Sequence, residues 1–468
     1  MLIRKMIAPG VALALGLPLS AQAATDAQWQ QLHGEIQQMK ASYEARIRAL
    51  EQRLEQAESA AGKAQAKADQ AEAKADQAAT APVPTPPASA GAFNPAVSLI
   101  LSGIYGNLSQ DPAKYALTGF IPQGNGVTPG SRGLSLSESE LGINANIDPY
   151  FRGSFAMAVD ENNNVSVEEA YVQTLGLSHG LTVKGGRFLS AVGYLNEQHA
   201  HVWDFADEPL VYRAFLGTQL KDDGVQLRWI APTETFVELG GELARGRNTP
   251  GSNRDKNGAG AATLFAHAGG DIGDSNSWRV GVSTLRTSPQ DAQSQATDLA
   301  GMQVTDSFTG DTRLWGTDFV WKWAPHGDPT YRNFKLQGEY FHRRNSGNLT
   351  YNLANLAGAA GALAASAYSA DQSGWYLQSV YQFMPYWRFG LRYDRLNGGT
   401  VGYGANDANL PVYGYDPTRN TAMVDYSPSE FSRIRLQFAQ DKSRQGVTDN
   451  QMFLQYQMSL GAHGAHIF

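Results

Sequence analysis

The stretch Trp387–Arg395, WRFGLRYDR, alternates: Trp387, Phe389, Leu391 and Tyr393 fall on one side of an extended chain, and Arg388, Arg392 and Asp394 fall on the other. One face suits hydrocarbon and the other suits water. SRIRLQFAQ at 432–440 repeats the pattern, with Ile434, Leu436 and Phe438 against Arg433, Arg435 and Gln437. MFLQYQMSL at 452–460 does so again, with Met452, Leu454, Tyr456, Met458 and Leu460 against Gln455, Gln457 and Ser459. A soluble sandwich also hides the apolar faces of its strands, so alternation alone leaves sandwich and barrel both open. The remainder of the chain has to decide.

Charged residues make up 17% of the 468, below the roughly 25% usual in soluble domains. With 37 Lys+Arg against 44 Asp+Glu and no basic run, the chain does not read as a nucleic-acid binder. It contains no Cys, which excludes disulfides, thiolate metal sites and cysteine nucleophiles. No HExxH helix, GxSxG elbow or Walker loop occurs, so no enzymatic activity is expected.

Residues 1–24 read as a secretion signal: Arg4 and Lys5, then VALALGLPLS, then the small-x-small pattern Ala21-Gln22-Ala23. Residues 25–80 follow with apolar positions in threes and fours from Leu32 through Ile36, Met39, Tyr43, Ile47, Leu50 and Leu54, then an all-alanine seam. That is a coiled-coil stripe, and its seam calls for a partner helix. PVPTPP stops it, and residues 81–92 serve as a Pro-rich linker. Beyond the signal nothing is long and greasy enough to cross a bilayer as a helix; even LANLAGAAGALAASAYSA from Leu353 is too rich in Ala, Gly and Ser. An exported chain of this length, rich in aromatic residues and alternating to its end, points to a barrel. A closed barrel is the other architecture that satisfies every backbone group in lipid.

Residues 93–468 divide into alternating segments of about ten residues separated by turn residues. Short turns are marked by Asp148-Pro149, LSHG at 177–180, APTE at 231–234, GDSNS at 273–277, APHGDPT at 324–330, MPYW at 384–387 and SPSE at 427–430. Longer connections interleave with them at about 107–131, 160–165, 189–221, 245–260, 288–310, 346–372, 398–419 and 442–449. With both ends in the periplasm, seven turns require about sixteen strands. The expected fold is therefore an all-β transmembrane barrel of about sixteen antiparallel strands, preceded by the helical coiled coil. A TonB-dependent receptor, with 22 strands and a plug, would not fit.

EEAYVQT at 168–174, LTVKGGRF at 181–188 and DDGVQLRW at 222–229 together resemble the phosphate-selective porin O and P type of outer-membrane channel. The resemblance runs loosely over about 94–468 and is sharpest over 168–229. It implies a homotrimer in the outer membrane of a Gram-negative bacterium, a periplasmic coiled coil, and a third outer loop folded into the pore. Terminal Phe468, in phase with Met458, Leu460 and Ala462, looks like the barrel-assembly signal of such proteins. Phosphate selectivity in that family rests on a clustered basic zone, which this acidic chain lacks, so the solute does not carry over.

The third loop contains NEQHAHVWDFADEPLVYRAF, with Asp204, Asp207 and Glu208 among its charges. By parity the wall turns Arg228, Arg279, Arg388, Arg392, Arg433 and Arg435 inward. Opposed acidic and basic rows would set a field across the narrowest point and fix size and charge preference. Solvation of a wet lumen is the plainer account of the same arginines. His199 and His201, with carboxylates nearby, have the donor types that suit a divalent metal such as zinc, and His463 and His466 form a second pair. No resident cofactor is expected; zinc would bind transiently. Passive diffusion of small hydrophilic solutes or ions is the leading expectation. Zinc uptake through His199 and His201, and a tether from outer-membrane lipid to peptidoglycan through the coiled coil, are the alternatives.

Overall fold

A computed structural model describes residues 95–121, 127–252, 256–353 and 365–461. The signal segment, coiled coil, linker, His463, His466 and Phe468 lie outside the described residues. The first half of the sheet comprises β1 (Ala96–Leu108), β2 (Gly133–Leu136), β3 (Ser139–Asn146), β4 (Phe151–Val159), β5 (Val165–Thr174), β6 (Leu181–Leu189), β7 (Lys221–Ile230), β8 (Phe236–Ala244) and β9 (Ala261–Ile272). The second comprises β10 (Asn276–Thr287), β11 (Ala292–Thr297), β12 (Gln303–Trp323), β13 (Asn333–Thr350), β14 (Ala365–Met384), β15 (Trp387–Gly402), β16 (Thr418–Ser429), β17 (Ser432–Lys442) and β18 (Asp449–Gly461).

All pairings are antiparallel, and β1 closes on β18 with Leu101 opposite Met458 and Tyr105 opposite Leu454. Two staves are interrupted. β2 and β3 lie end to end along β1, at Gly106↔Gly133 and Ser98↔Gly142. β10 and β11 likewise lie along β12, at Thr287↔Thr312 and Ala292↔Phe308. The closed barrel therefore has sixteen staves, as the turn count requires. The seven connections at one end fall at the positions the turn residues mark.

The barrel is inside out. On β17, Ile434, Leu436 and Phe438 face outward, while Arg435, Gln437 and Asp441 are buried in the lumen. An apolar, outward-facing belt on a closed sheet is the surface lipid requires. Aromatic side chains edge it in cross-strand pairs: Trp315 with His342 (ring centroids 5.6 Å apart), Trp375 with Tyr393 (5.4 Å) and Trp387 with Tyr426 (4.8 Å). Above Trp315 the outer surface of β12–β14 turns charged, with Arg344 paired to Asp371 at 2.6 Å.

One expectation is corrected here. The connections placed at 288–310 and 346–372 are partly strand: β11 and the start of β12 occupy much of the first, and β13 and β14 extend into the two ends of the second. β12 is 21 residues long and β14 is 20, where about 9–11 residues cross a bilayer. VTDSFTGDT continues the two-residue period with polar groups on both faces, because this part of the wall stands in water. Hydrophobic alternation cannot report such a strand.

The lumen is not uniformly wet. The connection between β6 and β7 folds inward and contains a short helix, α1 (Leu210–Phe215), all six residues of which are buried. Val211, Tyr212 and Phe215 pack against Leu314, Phe341, Tyr376 and Leu396 from the inner wall. The first outer loop joins this core: Phe120 meets Phe215 with centroids 5.9 Å apart, and the carbonyl of Ile121 accepts from Tyr368 Oη at 2.7 Å.

Because Phe319 sits mid-belt on β12, Phe319→Arg is expected to cost about 2–4 kcal/mol of barrel stability. Ser346→Arg, on the exposed outer face of β13 above the belt, should be close to neutral. Equilibrium urea unfolding in lipid vesicles checks both; equal costs would misplace the belt.

Candidate functional site: the inward loop and the space beside it

The loop at 190–220 is fastened to the wall by Glu242, Asp394 and Arg343, and above all by three further sets of contacts. The first is Glu339 on β13, which accepts hydrogen bonds from Tyr194 N and Leu195 N at 3.0 Å each, Tyr212 Oη at 3.0 Å and Tyr376 Oη at 2.6 Å. Four donors on one carboxylate offset the desolvation of a side chain with 2% exposure. Gly193 makes the turn possible: its φ is +75°, and a Cβ there would lie 2.2 Å from Glu339 Oε2.

The second is an ionic latch. Asp204 accepts from Lys335 Nζ at 3.0 Å and from Arg388 at 3.2 Å, and Arg388 also reaches Asp425 at 2.6 Å. Asp207 binds Arg392 at 2.9 Å, Arg213 at 3.2 Å, Gln437 Nε2 at 3.0 Å and Arg419. Glu208 turns back to Arg213 at 2.6 Å. Burial alone would raise the two aspartates' pKa values. Lys335, Arg388 and Arg435 around Asp204, and Arg419, Arg392 and Arg213 around Asp207, outweigh it and hold both carboxyls well below the usual range.

Backbone carbonyls form the third. Arg433 donates to the carbonyl of His201 at 2.6 Å and to Gln457 at 2.7 Å, and Arg435 donates to the carbonyl of Trp203 at 2.8 Å.

The opposed rows expected from sequence are thereby corrected. Asp204, Asp207 and Glu208 do not face the arginines across an open gap; Arg388 and Arg392 touch the loop carboxylates directly, and Glu208 pairs within its own loop. Nor is the wall simply basic. Arg392 also pairs with Asp394 at 3.1 Å, Arg279 with Asp318 at 3.4 Å and Arg228 with Glu238 at 3.4 Å. In a low-dielectric interior an unpaired charge is costly, so most of these arginines are neutralised where they stand, Arg433 excepted.

Space remains on the other flank of the loop. A vestibule of about 1080 Å³ opens at the short-turn end, lined by Arg388, Arg433, Gln382, Tyr386, Ser432 and Gln457 among others. It shares Tyr194, Gln198 and His201 with a narrower cavity of about 200 Å³. That cavity is lined by Glu140, Glu169, Glu197, His199, Lys184, Arg228 and Arg279. Glu197 is taken by Arg228 and, at 3.6 Å, by Arg279.

His199 and His201 do come together, but with Glu140 rather than with Asp204, Asp207 or Glu208. Their Nδ1 atoms lie 3.0 and 3.1 Å from Glu140 Oε2, and His199 Nε2 lies 3.2 Å from Glu169 Oε2. Sequence reading missed Glu339, Glu140, Glu168 and Glu169. The parity that selected the arginines would have placed Glu339 and Glu140 on the lumen side too. Glu168 and Glu169 could not be assigned so: Ala156 opposes Glu169 and Met157 opposes Val167, so Glu168 is an extra residue in a bulge that brings adjacent carboxylates to the lumen.

A closed sheet with an apolar exterior and a loop folded into its lumen defines a porin-like transmembrane barrel. No family model matches the chain. An uncharacterized protein of Aquifex aeolicus (strain VF5) is 31% identical over 408 residues, spanning 82% of this chain and 81% of the relative. The chain belongs to the same family as that protein. Among solved structures it is similar to the outer membrane channel DcaP of Acinetobacter baumannii, with 13% identity, 80% of this chain and 99% of that one covered, and a TM-score of 0.48. The trimer form of OmpT from Vibrio cholerae gives 9%, 78%, 99% and 0.47. The anion-selective porin from Comamonas acidovorans gives 10%, 78%, 99% and 0.45.

Asp207→Ala removes a carboxylate shared by three guanidinium groups, each of which keeps one other acid, and is expected to cost about 3 kcal/mol in unfolding free energy, with faster proteolysis of the loop. The latch also carries a pH signature. Because the folded-state pKa values of Asp204 and Asp207 are depressed, their stabilisation is fully present above the unfolded value near ~4 and is lost only as pH falls through the lower folded values. Protease resistance of residues 190–220 should therefore stay flat from pH 7 to about 4 and fall only in stronger acid. Loss near pH 6 would contradict the latch.

Proposed function

We propose that this chain forms a channel in the bacterial outer membrane through which small hydrophilic solutes and ions diffuse passively. The observation that carries the reading is the space beside the loop: a vestibule of about 1080 Å³ adjoining, through Tyr194, Gln198 and His201, a cavity of about 200 Å³ that is rich in charged side chains, inside an apolar-coated barrel. Barrels of about 16–18 strands are wide enough for an aqueous lumen. Here the inward loop and the first outer loop fill the lumen against β12–β15; the vestibule below is walled by β12–β18, and the smaller cavity lies against β3–β7.

Selectivity then follows from charge left without a carboxylate partner. Arg433 donates to two backbone carbonyls and to Gln457 rather than to an acid, and it lines the vestibule. A positive charge so placed favours anions at the periplasmic mouth. The motif resemblance to phosphate-selective porins supports assembly as a trimer.

In planar bilayers the purified protein is expected to conduct in steps grouped in threes, and silence over many insertions would overturn the reading. Arg433→Gln should shift the reversal potential in a salt gradient toward cations. An unchanged potential would remove the vestibule from the account of selectivity.

A further inference from the structure

On its open flank the barrel wall gathers four carboxylates. Glu138 lies in the interruption between β2 and β3, Glu140 lies on β3, and the β5 bulge supplies Glu168 and Glu169. The loop brings His199 and His201 down onto them, their rings stacked with centroids 5.5 Å apart. Donor atoms of Glu140, His199 and His201 all lie within 4.8 Å of one another, as do those of Glu138, Glu140 and Glu168.

The distances suit a cation. Zinc–nitrogen and zinc–oxygen bonds of about 2.0 Å in tetrahedral array set ligand atoms about 3.3 Å apart. Glu140 Oε2 stands 3.0 Å from His199 Nδ1 and 3.1 Å from His201 Nδ1. A fourth donor waits nearby. Glu168 has 2% exposure, its Oε1 is taken by Lys221, and its Oε2 has no hydrogen-bond partner while lying 3.9 Å from His199 Nδ1. His199 Nδ1 is itself without a hydrogen bond, because its approach to Glu140 is misaligned for one. Two buried polar atoms, one on the wall and one on the loop, thus point at a common space with nothing joining them. The other nitrogen of the same ring, Nε2, lies 3.2 Å from Glu169 Oε2. A carboxylate that accepts a hydrogen bond from one ring N–H leaves the other nitrogen as a lone-pair donor, the arrangement that orients metal-bound histidines.

We propose that Glu140, His199 and His201, completed by Glu168 and oriented by Glu169, bind a divalent transition-metal cation of the zinc type at the narrow part of the passage. Imidazole with carboxylate is a donor set such cations favour. Lys221 neutralises one carboxylate of the group, and the remaining carboxylates leave a net negative charge for a divalent cation to meet. Asp204, Asp207 and Glu208 take no part, since the latch uses them. A site on a passage must also release what it holds, and ligands divided between wall and loop allow that by a small displacement of the loop. The consequence for transport rests on the channel reading; the binding does not.

The test uses untagged, full-length protein, stripped with chelator and held in detergent micelles, with zinc chloride as the probe. Calorimetry is expected to show one zinc per protomer. Binding should be lost in His201→Ala and in Glu140→Gln, weakened about 10–100-fold in Glu169→Gln, and kept in His326→Ala and in the double variant His463→Ala, His466→Ala. Cobalt chloride added to the unaltered protein, which needs no variant to fold, should give the strong visible absorption of a tetrahedral site. Absence of zinc binding, retention of full affinity in His201→Ala, or a weak octahedral cobalt spectrum would each overturn the proposal. Zinc block of conductance ties the site to the passage. Binding without any conductance would leave the site standing and remove the channel; conductance without binding would do the reverse.

Discussion

Lipid offers no hydrogen-bond partner to a backbone amide or carbonyl, and every other feature of this molecule follows from that constraint. The sheet meets it by closing β1 on β18, which leaves no edge. Closure at sixteen staves creates a lumen, and the two-residue side-chain period sorts the rest. Ile434, Leu436 and Phe438 go to lipid; Arg435, Gln437 and Asp441 go inside.

A polar lumen creates a second problem, because charges in a confined interior must be paired or wet. The inward loop resolves it on one flank. Asp207 gathers Arg213, Arg392 and Arg419, while Glu339 gathers two backbone amides and two tyrosine hydroxyls. Around these polar fastenings an apolar core of Val211, Phe215, Leu314 and Phe341 excludes water. Asymmetry is the result: one flank of the lumen is solid protein, and the other keeps the space lined by Glu140, His199, Lys184 and Arg228.

The sequence speaks plainly where lipid enforces contrast. WRFGLRYDR and SRIRLQFAQ reveal both their faces, and Pro, Gly, Asp and Ser mark all seven short turns, so the strand count could be read off. It falls silent where β12 and β13 rise out of the membrane, because water on the outer side permits Thr, Ser and Asn on both faces. In the candidate site, the inward orientation of Arg388, Arg392 and Arg435 was legible, but their partners were not. Asp394 and Asp425 share those faces, and a charge's partner depends on where a loop comes to rest. The histidines show the same limit. His199-x-His201 stands out by residue type, whereas Glu140 lies 59 positions before His199 and joins it only through barrel closure and loop inversion. Glu168 enters through a one-residue bulge that shifts the period.

The natural absence of Cys makes the central claim directly measurable. Single cysteines placed one at a time from Ile434 to Ala439 can carry a nitroxide in reconstituted vesicles, and collisional relaxation by oxygen, which concentrates in lipid, reports each environment. The account predicts a two-residue period, with high oxygen accessibility at 434, 436 and 438 and low accessibility at 435, 437 and 439. A flat profile, or a period near 3.6 residues, would contradict a lipid-coated barrel.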